Sequence, residues 1–193
     1  MKKILFGLAL LLGMSVMLTS CNYNDLVEEQ EEVEGAWAEV QNQYQRRLDL
    51  IPNLVNTVKG YAAHEQNTLN MVTSARAKAG SMQLSVEDLD EETLAKYQKV
   101  QDELSQGIGR LLAIAEAYPD LKANENFLAL QDQLEGTENR IAVARRNFNE
   151  EAREYNADIR KFPTVIYAGW FGFKRKPYFE SQSGAEYAPE VQF

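Results

Sequence analysis

His64 and Glu65 close the stretch RRLDLIPNLVNTVKGYAAHE (46–65), and His64 is the chain's only histidine. A histidine beside a glutamate is the pair a helical metallohydrolase uses, one as metal ligand and one as general base. That chemistry needs a second histidine one turn further along, and the chain has none. A single imidazole with scattered carboxylates is a poor donor set for zinc or iron. The residues therefore predict no metal and no cofactor, with Glu65 and His64 hydrogen-bonding inside the fold. No Ser-His-Asp set can be assembled without many arbitrary choices, and no glycine-rich phosphate loop is present. Paired acids such as Glu91 and Glu92 read as solvated helix faces rather than general acids. The chain is expected not to be an enzyme, and a hydrolase built on His64 and Glu65 is the weakest alternative.

Cys21 is the one reactive residue whose surroundings specify a chemistry. It is the only cysteine, so it cannot close an internal disulfide. Lys2 and Lys3 precede an apolar run from Ile4 to Leu18, and Leu18-Thr19-Ser20-Cys21 follows. A short basic region, an apolar core and small residues before a cut describe a secretory signal over residues 1–20. The run is shorter than the about 20 apolar residues a spanning helix needs. Leu18-Thr19-Ser20-Cys21 resembles the lipobox of bacterial lipoproteins. That resemblance implies cleavage before Cys21, a diacylglycerol thioether on its sulfur and a further acyl group, palmitate or similar, on the new amine. More than one lipid chain makes anchoring stable. Asn22 onward would be a short tether, and the mature protein would sit in the bacterial cell envelope on its periplasmic or surface side.

Charge narrows the partners. The formal net charge is −9, and without residues 1–20 (which include Lys2 and Lys3) 18 basic side chains face 29 acidic ones, or −11. Nucleic acid is excluded as a partner, because phosphate binding requires the opposite sign. An acidic body is also repelled by anionic lipid, so membrane contact must be local.

Long helices have to position these groups. From Asp25 to Phe162 only Pro52 and Pro119 interrupt a region rich in Glu, Gln, Ala, Leu and Arg, all good helix formers. Apolar residues recur at steps of three and four through Val33, Trp37, Val40, Tyr44, Ile51, Leu54, Val58 and Tyr61. That is the seam of a helix packed lengthwise on others. The phase continues through Glu65, Thr68, Val72, Ala75 and Ala79, so a first rod is expected from Asn24 or Asp25 to Gly80. Pro52 either kinks this rod or splits it, with Asp49 capping a new helix. A second rod is predicted over Val86–Ala117, opened by Ser85 and Asp88 as a capping pair. Gly107 and Gly109 in this rod are expected to let a neighbouring helix approach closely. A third rod is predicted over Leu121–Phe162, ended by Pro163. The fold is thus all-α, an elongated antiparallel helical bundle of long helices, with three rods or four helical segments depending on Pro52.

Polar residues interrupt the seams: Arg47 and Glu65 on the first rod, Gln131, Glu138 and Arg145 on the third. Buried charges must pair. Glu138 is expected to meet Arg46 or Arg47, and Arg145 to meet Glu65 or Asp49, with a slight rotation of the helix that carries these side chains to the rim as the alternative. Such pairs set register more than they add stability.

The tail, 164–193, begins TVIYAGWFGF and continues through Lys174-Arg175-Lys176 to a last dozen residues expected to be loosely ordered. Trp170, Phe171 and Phe173 beside three basic residues suit a membrane interface or a protein partner, unless the segment lies back on the bundle. Path length separates these. A first rod of about 55 residues at about 1.5 Å per residue reaches about 80 Å. Three rods leave the tail far from the anchor, whereas four helical segments bring it home.

Four stretches resemble the LemA family of bacterial envelope proteins: RRLDLIPNLVNTVKGYAAHE (46–65), EAYPDLKANENF (116–127), TENRIAVARRNFN (137–149), and FP with AGWFGF (162–173). The resemblance implies a helical bundle over residues 21–163, brings no catalytic residues, and points to a partner among envelope or membrane proteins. Many members carry an N-terminal transmembrane helix, and here Cys21 stands in its place. The reading is a lipid-anchored envelope bundle acting as an interaction or scaffold module. A self-associating, homo-oligomeric membrane organiser is the first alternative.

Overall fold

A computed structural model describes residues 2–180, with side chains from Tyr23 onward. Five helices follow one another: α1 (Lys2–Tyr61), α2 (Gln66–Ser81), α3 (Glu91–Ile114), α4 (Pro119–Lys122) and α5 (Glu125–Asp158). Among the described residues there is no strand, so the fold is the expected all-α antiparallel bundle. The side chain of Cys21 and the last dozen residues, both subjects of the expectations above, lie outside the described part.

The chain does not break at Pro52. α1 runs uninterrupted through it and reverses instead at residues 62–65. The missing amide of a helical proline leaves the carbonyl four residues earlier without its donor. Here that carbonyl belongs to Leu48, and the Arg76 side chain of α2 donates to it at 3.0 Å. The reversal at 62–65 preserves the 3–4 phase because both arms face one core. Val58 on α1, Ala62 at the start of the turn, and Leu69 and Val72 on α2 are all buried in it. Constant phase therefore did not mean constant direction.

Other boundaries differ for local reasons. The tether expected after Cys21 is part of α1. α3 starts at Glu91 rather than Val86, because Asp90 and Thr93 form a reciprocal capping box. Ser85 and Asp88 bond side chain to side chain at 2.8 Å, and the Asp88 amide donates to the Ser85 carbonyl at 3.2 Å in a turn that does not continue as helix. Segment 82–90 stays unwound with its carbonyls engaged from outside. The Leu84 carbonyl accepts from Trp37 Nε1 at 3.0 Å and Gln41 Nε2 at 2.8 Å. The third rod is divided by residues 123–124, where the Asn124 side chain caps α5 by accepting from the Phe127 amide.

Cross-links set the directions. α1 and α2 are antiparallel by Arg76 on Leu48. α2 and α3 are antiparallel by Lys78 on Glu103 and Arg110 on Met71. Gly107 is the close approach between them, since a Cβ there would meet Val72 at 3.4 Å, whereas Gly109 faces open space. α1 and α5 are antiparallel, tied at Asn124 on Tyr61, Arg47 on Glu138, and Trp37 against Phe148. The path is therefore out, back, out and back, which returns residues 159–173 to the start of the bundle. Tyr23 packs edge-on against Phe171 and Phe173, with ring centroids 5.2 and 5.6 Å apart.

Two apolar clusters stack along this axis. The one nearer the reversal joins α1, α2, α3, α4 and α5. The one nearer Tyr23 joins α1, α5 and the start of α3 with Val86, Leu89, Tyr167, Ala168 and Phe179. The fourth wall thus changes along the bundle, from α2 to the 82–90 segment and the tail.

Candidate functional site

Arg47 sits on α1 at the level where the two clusters meet, between Tyr44 in one and Leu48 in the other. It is 1% exposed. Its Nη1 donates to Glu138 Oε1 on α5 at 2.8 Å and to Ser105 Oγ on α3 at 2.6 Å. Its Nη2 donates to Gln101 Oε1 at 2.6 Å and approaches the Gln101 carbonyl at 3.3 Å. The guanidinium carbon also lies 5.1 Å from the centre of the Tyr44 ring. One buried cation thus holds three helices at a single level. A register error on any of them would strand a desolvated charge. Burial raises the Tyr44 hydroxyl above its ordinary value, although Arg145 and Arg47 pull it down.

The other residues singled out by the sequence are dispersed. Arg46 and Asp49 are exposed, and Asp49 accepts from Gln45. Glu138 keeps 42% of its side chain exposed while holding Arg47, and Gln131 is exposed outright. α5 is rotated relative to the expected seam, so Leu130, Thr137 and Ala144 are buried where Gln131, Glu138 and Arg145 were placed. Arg145 meets neither Glu65 nor Asp49. Its guanidinium lies over the Phe179 ring at 4.7 Å, far along α5 from the reversal that carries Glu65. Glu65 accepts from the Tyr118 hydroxyl at 3.3 Å. His64 is exposed on the turn rather than bonded inside the bundle. Among the described residues no three His, Cys, Asp or Glu side chains gather to hold a metal ion.

The tail is gripped by two asparagines. Asn156 donates to the Lys176 carbonyl and accepts from the Lys176 amide, both at 2.8 Å. Asn149 does the same for Phe179, at 2.9 and 2.8 Å. Seven helical residues rise about 10 Å, and three extended residues span about 10 Å. The two amides therefore match successive attachment points on an extended chain. Phe179 fills the space they frame, against Trp37 and Phe148. Buried Lys176 donates to the Val86 carbonyl at 3.2 Å, and burial lowers its pKa against the pull of Glu34 and Glu87. Trp170 and Phe171 remain out in solvent, 83% and 62% exposed, while Phe173 is half-buried.

Sequence reasoning missed Arg76, Gln101, Ser105, Asn149 and Asn156. The seven-residue spacing of the two asparagines was visible, but the partner they hold lies about twenty to thirty residues away in extended chain. Gln101 was legible as a polar residue one position beyond Val100 on an apolar stripe.

What these contacts define is a class of architecture: a helical bundle that spends its buried polar groups on holding its own helices and tail. The comparisons give that class a family. Residues 36–193 match the model described as the LemA family, and the chain belongs to it. Magnetosome protein MamQ 1 of Paramagnetospirillum magneticum is 26% identical over 183 residues, covering 85% of this chain and 66% of the relative. Magnetosome protein MamQ of Magnetospirillum gryphiswaldense is 27% identical over 181 residues, with the same coverage. Protein LemA of Metamycoplasma hominis is 29% identical over 141 residues, covering 73% and 61%. The chain thus spans slightly under two thirds of the length of these relatives.

Proposed function

We propose that this chain is a lipid-anchored protein of the bacterial cell envelope whose bundle is an interaction scaffold rather than an enzyme. The observation that carries the reading is the continuity of α1, one helix from the N-terminal address segment to Tyr61. At about 1.5 Å per residue it sets the 62–65 turn about 60 Å from Cys21. Such a strut holds a surface at a fixed distance from an anchor. Arg47 reinforces it by locking α1 to α3 and α5 nearer the turn than Cys21. The exposed residues Arg46, Asp49 and His64 on and beyond that level offer a polar face to an envelope protein.

Photo-crosslinkers at Arg46, His64 and Trp170, used in native membranes, test this. A discrete protein adduct from Arg46 or His64 is the expected result. Absence of any protein adduct from all three positions would remove the scaffold reading. Lipid on Cys21 is checked separately by the mass of the N-terminal peptide, with Cys21→Ser as the unmodified control.

A further inference from the structure

Residues 159–173 form a loop whose inner side is fixed and whose outer side is greasy. Thr164, Tyr167 and Ala168 are buried against the bundle. Phe162, Val165, Ile166, Trp170 and Phe171 are 53–83% exposed, an outward apolar patch of the kind that marks an interaction surface. Gly172, at φ 85°, turns the chain from this loop into the clamped run. The turn needs the left-handed conformation that glycine adopts without cost. The patch is rigidly placed, because Asn156 and Asn149 hold the chain directly after it.

Its position identifies the occupant. Phe171 touches Tyr23, which lies two residues after Cys21, so the patch sits where the apolar N-terminal run leaves the bundle. Arg160, Lys174 and Arg175 are exposed around it. Lys161 is paired with Asp158. On a chain of net charge −9, Arg160, Lys174 and Arg175 flank the aromatic and aliphatic side chains in sequence, while Asp158, Glu29 and Glu154 act on Lys161. Aromatic and basic residues in that arrangement suit the boundary between lipid headgroups and acyl chains.

We propose that the 159–173 loop is a membrane foot: Trp170, Phe171, Phe162, Val165 and Ile166 enter the headgroup–acyl boundary of the bilayer, with Arg160, Lys174 and Arg175 over anionic headgroups. The foot rests on the anchoring reading above and adds to it a second contact that fixes the tilt of the bundle. A single flexible attachment would let the strut swing, whereas two adjacent attachments hold it upright.

The two tryptophans make the test direct. Trp37 is 3% exposed inside the bundle and Trp170 is 83% exposed on the foot. The full chain, expressed and processed in cells, is reconstituted into vesicles of phosphatidylethanolamine and phosphatidylglycerol containing lipid brominated in its acyl chains. The expected result is loss of the larger part of Trp170 emission, with Trp170→Phe removing the quenchable component and leaving the Trp37 emission unquenched. If the chain floats with the vesicles and Trp170 is unquenched, the foot is overturned and the anchor stands. Unquenched Trp170 emission that shifts to the blue with protein density overturns it in favour of a second copy on the patch. A chain that does not float with the vesicles overturns the anchoring reading and the foot together.

Discussion

Arg76 on α2 donates its Nε–H to the Leu48 carbonyl at 3.0 Å, and Leu48 stands four residues before Pro52 on α1. The proline removes the donor this carbonyl would have had within its own helix, and the neighbouring helix supplies one. The residue that looks like a breakpoint is thus bridged by tertiary structure. The pair also ties α1 to α2 after the reversal, which involves no side-chain cap on α2.

Arg76→Ala is expected to cost about 1–2 kcal/mol, the range for stranding a partly buried acceptor. In a Pro52→Ala background, where α1 regains its own amide, the same change should cost markedly less. Urea melts of the four proteins in a double-mutant cycle measure this coupling. Equal costs in both backgrounds would show that Arg76 acts some other way.

Arg47→Ala should cost about 3–5 kcal/mol, since it empties a buried site and strands its polar partners. Arg47→Met, which refills the volume, should lose less. Glu138→Gln keeps an acceptor at a site 42% exposed and should lose only about 1 kcal/mol. Glu138→Lys should unfold or misregister the bundle. A melting curve unchanged by that reversal would remove the pair from the account of register.

Asn156→Ala and Asn149→Ala each delete two hydrogen bonds to the tail backbone. A loss of about 1–3 kcal/mol per variant is expected. Trypsin should cut after Arg175 much faster in the double variant, and Trp37 emission should shift red as Phe179 withdraws from it. Unaltered cleavage kinetics would mean that apolar packing alone retains the tail.

Acidity is expected to strengthen the end of the bundle near Tyr23. Burial first, then Asp158 beside it, pushes the Glu29 carboxyl from 4.5 up to about 7, with Glu32 adding and Lys161 opposing. A carboxyl raised in the fold is more readily protonated there than in the unfolded chain. Its contribution is fully present below about 4.5 and is lost as pH rises through about 7. Stability measured from about pH 5 to 8 should therefore fall for this group. Glu29→Gln should flatten that slope, and an identical slope in the variant would rule Glu29 out as its source.

The α3 glycines separate packing from propensity. Gly109 faces open space, so Gly109→Ala should stabilise by up to about 1 kcal/mol. Gly107 faces Val72 at 3.4 Å, so Gly107→Leu should overpack the α2–α3 contact and lose about 1–3 kcal/mol. Thermal melts of both variants check the opposite signs.

The sequence by itself determined that the chain is helical, which residue types form the apolar stripes, and that Cys21 is its only thiol. Those properties are local: propensity acts residue by residue, and a 3–4 spacing states which face of a helix is buried. Val33, Trp37, Val40 and Tyr44 were legible on that basis and are core residues. Only the tertiary structure decided where the chain reverses, that Arg145 stacks on Phe179, and that the tail closes on Tyr23. A stripe records burial without recording the partner or the direction of travel. Two arms of a hairpin facing one core keep one phase, so Val58 and Val72 could not announce the turn between them. Contacts such as Asn156 with Lys176 depend on where distant segments arrive, and that is settled when the helices pack together.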